Sequence, residues 1–259
     1  MFGFSFATLL IAVGIFIGVL VCFEIGRRFG VRSLAHDPDG EGEGLGAIEA
    51  ALFGLLGLLL AFTFSGAASR FDTRRQLVVD EANAIGTAYL RVDLLPAESQ
   101  PAMRDKFRQY LDTRLEVYRL IATGTDQTPA ETHSREIQNG IWSSAVVESS
   151  RTSNTAASML LLPALNQMFD IATTRAMSRQ MHPPMIIFIM LGFLVLSAAA
   201  IAGFGLAKAK TRSWVHLLLF AFVFAITFYV ILDIEYPRLG LIRVDAFDQV
   251  LIDLRNSMN

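Results

Sequence analysis

Residues 50–69 read AALFGLLGLLLAFTFSGAAS, and residues 70–90 continue as RFDTRRQLVVDEANAIGTAYL. The first twenty carry no charge and, at about 1.5 Å per residue, cover the roughly 30 Å hydrocarbon core of a bilayer. In the second part Phe71, Val78, Ala82, Ile85, Tyr89 and Val92 recur at spacings of three, four and seven, while Arg74, Arg75, Asp80 and Arg91 fall elsewhere around the helix. A membrane span therefore leads into an amphipathic helix. No proline lies between Pro38 and Pro96, so the pattern predicts one helix of about 50 residues and 75 Å, with Gly66 as its weak point.

Three further charge-free blocks flank this one, at residues 4–23, 185–207 and 214–232. A cleaved signal peptide is the alternative for the first, but its arginines, Arg27 and Arg28, follow the apolar run instead of preceding it. With 53% hydrophobic and 18% charged residues in 259, the composition excludes a disordered chain and disfavours an ordinary soluble domain. A net charge of −2 leaves no electrostatic footprint for nucleic acid, and the lone Cys22 excludes a disulfide framework or a cysteine-built metal centre. The reading is an all-α membrane protein. Residues 1–69 and 185–232 form two transmembrane hairpins, residues 70–184 a water-facing helical domain between them, and residues 233–259 an amphipathic C-terminal segment.

Within the polar domain Pro101 announces a helix carrying Met103, Phe107, Tyr110, Leu111, Val117, Tyr118 and Ile121, which Gly124 stops. Thr128-Pro129-Ala130-Glu131 has the form of a capping box opening the next. A further helix is expected from near Asn154, bent at Pro163 and ended by Pro183-Pro184. Asp233, Glu235, Tyr236 and Pro237 are expected to mark the return to water, followed by a short helix with Phe247, Val250, Leu251 and Leu254 on one face.

Catalytic patterns are missing, and no enzyme or cofactor is expected. The four histidines include no i, i+4 metal pair, and there is no phosphate-cradling GxxxxGK[ST] loop or GxSxG elbow. Gly42, Gly44 and Ala47 fit GxGxxA, but no strand precedes them. Asp37, Asp39 and Glu41, with Gly42 at the sixth position, have the spacing of a calcium loop. The twelfth position, which needs a bidentate glutamate, is Ile48, so an acidic glycine-rich turn is the favoured reading.

The second membrane helix carries more information. Gly57, Ala61 and Ser65 recur every four residues, and Ala47, Ala50 and Gly54 extend that small face, the pattern that lets backbones approach closely in lipid, within one subunit or between subunits. Phe53, Leu60, Phe62 and Phe64 lie elsewhere on the helix, as candidates for an apolar constriction that gates by dewetting or as lipid-facing side chains. No block holds a charge near its middle, which disfavours an ion-coupled transporter.

Two stretches resemble the bestrophin-like family of bacterial membrane proteins. They are residues 79–90, with Asp80, Glu81, Asn83 and Tyr89, and residues 232–240, with Asp233, Tyr236 and Pro237, followed by Arg243, Val244 and Phe247. The two-plus-two layout with a helical insert is similar as well. Through the family's remote likeness to bestrophins, which are pentameric anion channels, the resemblance implies a homo-oligomer in the bacterial inner membrane. Small ions would pass along an axis lined by the second helix, with Phe53, Leu60 and Phe64 as neck residues. The acidic calcium clasp of animal bestrophins has no counterpart here.

Orientation divides the signals. Arg27, Arg28 and Arg32 after the first block, and Lys208, Lys210 and Arg212 between the third and fourth, put the short loops in the cytoplasm and the helical domain in the periplasm. Bestrophins have the reverse arrangement, which Arg70, Arg74, Arg75, Arg175 and Arg179 would suit. The short loops carry more weight, because the charge step across the first helix usually dominates. Beside the channel reading stands a different class, a non-conducting membrane receptor or scaffold whose helical domain binds a partner.

Overall fold

The computed structural model describes residues 2–36, 45–151, 155–209 and 213–258. Among these there is no strand, and eight α-helices follow in order: α1 (Phe2–His36), α2 (Leu45–Leu90), α3 (Gln100–Thr123), α4 (Thr128–Arg151), α5 (Leu162–Ser178), α6 (Met185–Gly205), α7 (Trp214–Glu235) and α8 (Gln249–Ser257). Four are long and apolar enough to cross a membrane: α1, α2, α6 and α7. The chain divides into two units. Residues 2–69 and 182–236 form the membrane unit, and residues 70–181 and 237–259 form the polar one. The polar domain thus includes the C-terminal segment.

α2 runs unbroken through Gly66 for 46 residues, about 69 Å, as the absence of proline predicts. α1 overruns its apolar block, continuing past Arg27, Arg28 and Arg32 to His36. The physical reason is local. Arg28 Nε donates to Glu24 Oε1 at 2.9 Å and His36 Nδ1 lies 3.3 Å from the Arg32 carbonyl, i, i+4 contacts that add to the helix past its apolar block. α7 likewise runs through Asp233 to Glu235, and both carboxylates are buried, at 0% and 1% exposure, rather than returned to water. Pro237 follows the end of this helix and disfavours helical geometry at Tyr236, which leaves the helix at φ −122° and ψ 65°. Inside the membrane unit His182 Nδ1 lies 3.3 Å from Glu235 Oε2, and the imidazole stacks on the Tyr236 ring at 4.4 Å.

Within the membrane unit the close backbone packing joins α1 to α6 and α1 to α7, so chain neighbours are not the nearest partners. Gly26 and Gly203 make this possible. A Cβ on Gly26 would sit 1.8 Å from the Ala200 carbonyl oxygen, and one on Gly203 2.0 Å from that of Phe23. Val19, Leu56, Leu191, Val195, Ala221 and Phe228 fill the interior.

The polar unit packs α3 along α4, and its core contains Val78, Ile85, Phe107, Tyr110, Leu111, Ile141, Leu165 and Met168. Gly124 closes α3 at φ 69°, the left-handed conformation that glycine adopts without steric cost. The expected capping box at Thr128 takes another form. Asp126 Oδ1 accepts the Thr128 N–H at 3.0 Å, while Glu131 turns away to accept from Arg179 at 2.7 Å. Asn154 lies outside the described residues, and before Pro163 the chain forms a π-helical turn, Ala157–Leu161, that leads into α5. That turn contains Met159, whose carbonyl would bond the N–H that proline lacks. Arg91 Nη1 donates to the Leu160 carbonyl in the same turn at 2.7 Å. α8 buries Leu251, and Arg255 Nε and Nη2 grip Asp112 at 2.7 and 3.0 Å.

Candidate functional site

α2 attaches to the other membrane helices along one edge, through Leu52, Phe53, Leu56, Leu59 and Leu60. Its opposite side is open. Only 6% of its membrane-length window is buried, against 17%, 22% and 22% for α1, α6 and α7. Gly54, Gly57, Ala61 and Ser65 are exposed, and a Cβ built on Gly54 or Gly57 meets no atom of the chain within 4 Å. At about 100° per residue Gly54, Ala61 and Ser65 lie on one line, opposite the buried Leu56. The small face therefore points away from the chain's own helices.

The aromatic candidates separate along the same division. Phe53 is half-buried and packs edge-on against Phe220 of α7, with ring centroids 6.1 Å apart, and Leu60 is half-buried against the membrane core. Phe64 and Phe62 are 44% and 65% exposed and flank the small face on either side. Thr63 spends its hydroxyl on the Leu59 carbonyl of its own helix at 2.8 Å.

The polar unit holds a second constellation, on the family-motif glutamate. Glu81 is fully buried. Its Oε1 accepts from Arg114 Nε at 2.6 Å, and its Oε2 accepts from the Tyr118 hydroxyl at 2.6 Å and from Arg175 Nη1. Burial alone would raise the Glu81 pKa, but the two guanidiniums outweigh it and hold the carboxyl down to about 2. The same burial pushes the Tyr110 phenol up to about 12. Arg175 also donates to Asp248 at 3.0 Å, and Asp248 accepts from Arg238 at 2.7 and 2.8 Å. Arg238 reaches Asp245 at 3.0 Å, and Asp245 accepts from Arg243 at 2.5 Å. The Tyr118 ring lies under Arg175, 3.6 Å from the guanidinium carbon. One chain of ion pairs thus links Glu81 of the first motif to Arg238, which directly follows Pro237 of the second.

The other motif residues are placed differently. Asp80 accepts from Gln76 at 2.9 Å, Asn83 is exposed, and Tyr89 is buried with its hydroxyl donating to the Met258 carbonyl at 3.4 Å. Asp233 and Pro237 are buried and Tyr236 is half-buried. The partners Arg114, Tyr118 and Arg175, and Asp248 and Arg238 beyond them, are not legible beside Glu81 in the sequence, because they lie 33 to 167 positions away and no local spacing connects them. Asp37, Asp39 and Glu41 lie outside the described residues, and among the described residues no group of metal-ligating side chains gathers.

No curated protein and no solved structure matches the chain. A family model described as a Bestrophin-like domain matches residues 13–246, a span that holds α2 through α7 entire together with both motifs. With four membrane-length helices and that match over most of its length, the chain is a multi-pass membrane protein and belongs to the bestrophin-like family.

Proposed function

We propose that the protein is a homo-oligomeric, channel-like membrane protein that passes small ions, anions by the family's likeness, along an axis lined by α2. One observation carries the reading: the open, small-residue side of α2, which its own chain leaves uncovered. Four apolar helices without a polar stripe enclose a pore only by symmetric association, and a pentamer is the assembly the likeness implies. Gly54, Gly57, Ala61 and Ser65 then set the distance between neighbouring copies. Phe64, at the edge of that side, is the candidate constriction.

The experiment joins mass and flux. The purified protein should have a detergent-corrected mass of four or more chains and should pass chloride or potassium in liposomes. Gly57→Leu should loosen that assembly while each chain stays helical, since the side chain starts from a Cβ that has no atom of its own subunit within 4 Å. Phe64→Ala should raise flux, because a wider and less apolar neck stays wet more of the time. A monomeric mass, or an intact ring without flux in either form, would remove the channel and leave the receptor or scaffold reading.

The protein is proposed to lie in the bacterial inner membrane with its helical domain in the periplasm. The arginines that would favour the reverse arrangement are engaged within the chain, Arg75 by Asp72 at 3.0 Å and Arg179 by Glu131 at 2.7 Å. Arg74 donates to the Ser178 and Met181 carbonyls at 3.2 and 3.0 Å, and Arg175 is held in the Glu81 network. Asp126→Cys should therefore react in intact cells with a membrane-impermeant thiol reagent. Protection until the cells are lysed would reverse the topology.

A further inference from the structure

A cavity of about 410 Å³ opens in the membrane unit among α1, the end of α6 and the start of α7, a size within the usual range of small-molecule sites. Its wall is mostly apolar: Phe23 from α1, Leu206 beyond α6, and Leu217 and Phe220 from α7. Polar groups gather at one level. Arg27 lines the cavity and makes no ion pair among the described residues. Glu24, the carboxylate on the lining, is engaged by Arg28 at 2.9 Å. His216 also lines the cavity, with its Nδ1 in hydrogen-bond contact with the Ser213 hydroxyl.

The level of that polar group in the chain is informative. Phe23 is the last residue of the first charge-free block and Trp214 the first residue of α7, 54% exposed, as suits an aromatic at a membrane–water boundary. The cavity therefore joins an apolar chamber at membrane depth to a cation at the boundary. The class of molecule that fits both is an amphiphile with a hydrocarbon tail and an anionic head, and basic pockets between membrane helices recognise anionic lipid heads in this way.

We infer that this cavity is a binding site for an anionic phospholipid of the surrounding bilayer, with an acyl chain against Phe23, Leu217 and Phe220 and the phosphate held by Arg27. Arg28, whose charge is shared with Glu24, and Lys208, exposed on the segment after α6, add positive field at the same boundary. The inference rests on the membrane unit of one chain and stands whether or not α2 lines a pore.

The test is delipidated protein offered equimolar phosphatidylglycerol, phosphatidylcholine and palmitate, with bound molecules counted by native mass spectrometry. Phosphatidylglycerol should be retained over phosphatidylcholine by about fivefold, the effect of one basic residue near an anionic head, and palmitate should be left behind. Arg27→Gln should bring the two phospholipids to parity, and Arg27→Lys should keep the preference. Should the glutamine variant fail to fold, brominated lipids give the same comparison in Trp142→Phe, where quenching reports Trp214 at the cavity wall. Equal retention or quenching by both headgroups, a preference that survives Arg27→Gln, or palmitate alone retained would overturn the assignment.

Discussion

Glu81→Ala should unfold the polar helical domain or lower its thermal midpoint more than any surface substitution. The carboxylate is the shared acceptor of Arg114 and Arg175, and both guanidiniums are themselves almost wholly buried. Removing it leaves the Arg114 guanidinium without its carboxylate and Arg175 with Asp248 alone, in an interior that hydrates neither. Breaking a buried pair from one side costs about 3–5 kcal/mol, a large share of the roughly 5–15 kcal/mol that holds a domain folded. The link from Arg175 through Asp248 to Arg238 ties the C-terminal segment into the same network, so the loss should spread to α8. Trp142, packed on the domain core, gives a fluorescence signal for unfolding. Glu116→Ala is the control: Glu116 pairs with Arg119 at the surface, where water screens the charges, and its midpoint should not move. Equal midpoints for Glu81→Ala and the natural protein would refute the network's structural weight.

The same carboxylate sets an acid limit. Its pKa falls from 4.5 in the unfolded chain to about 2 in the folded one. A depressed carboxyl contributes stability that is complete above the unfolded value and drains away as pH falls through the folded value, so the loss should run from about pH 4.5 down to pH 2. Glu81→Gln carries no such proton, and the part of the acid transition due to this residue should vanish in it.

The legible part of this fold is the part written at short range. The missing proline between residues 38 and 96 predicts the unbroken α2, and Gly124 and Pro183-Pro184 end α3 and precede α6 where their backbone preferences require. Charge-free windows locate membrane depth but not helix ends, so α1 and α7 overrun their blocks wherever a polar residue finds a partner or a burial site. The Glu81 network is invisible in sequence for a different reason: its ion pairs join α2, α3, α5 and the C-terminal segment, and only the tertiary fold brings those together. Gly18, Gly26 and Gly30 fall at multiples of four on α1, the small-residue spacing that α2 also carries, and it is the α1 set that meets another helix within the chain.

Gly26→Ala tests that difference with a single methyl group. The added carbon would lie 1.8 Å from the Ala200 carbonyl oxygen and 2.6 Å from its carbon, and both are helix backbone with no rotamer to yield. α1 must move away from α6. With it goes the reciprocal approach in which Gly203 lies under the Phe23 carbonyl. Overpacking that shifts backbone costs about 1–3 kcal/mol and occasionally more, so the detergent-purified variant should lose much of its thermal stability. Gly57→Ala is the matched comparison, because the same methyl on α2 enters open space and alanine is the better helix former. Within one chain it should be neutral or slightly stabilising. If Gly26→Ala is as stable as the natural protein, the α1–α6 contact is looser than its geometry states. If Gly57→Ala is the damaging change of the two, the force it meets comes from outside the chain, as the proposed association of copies along α2 requires.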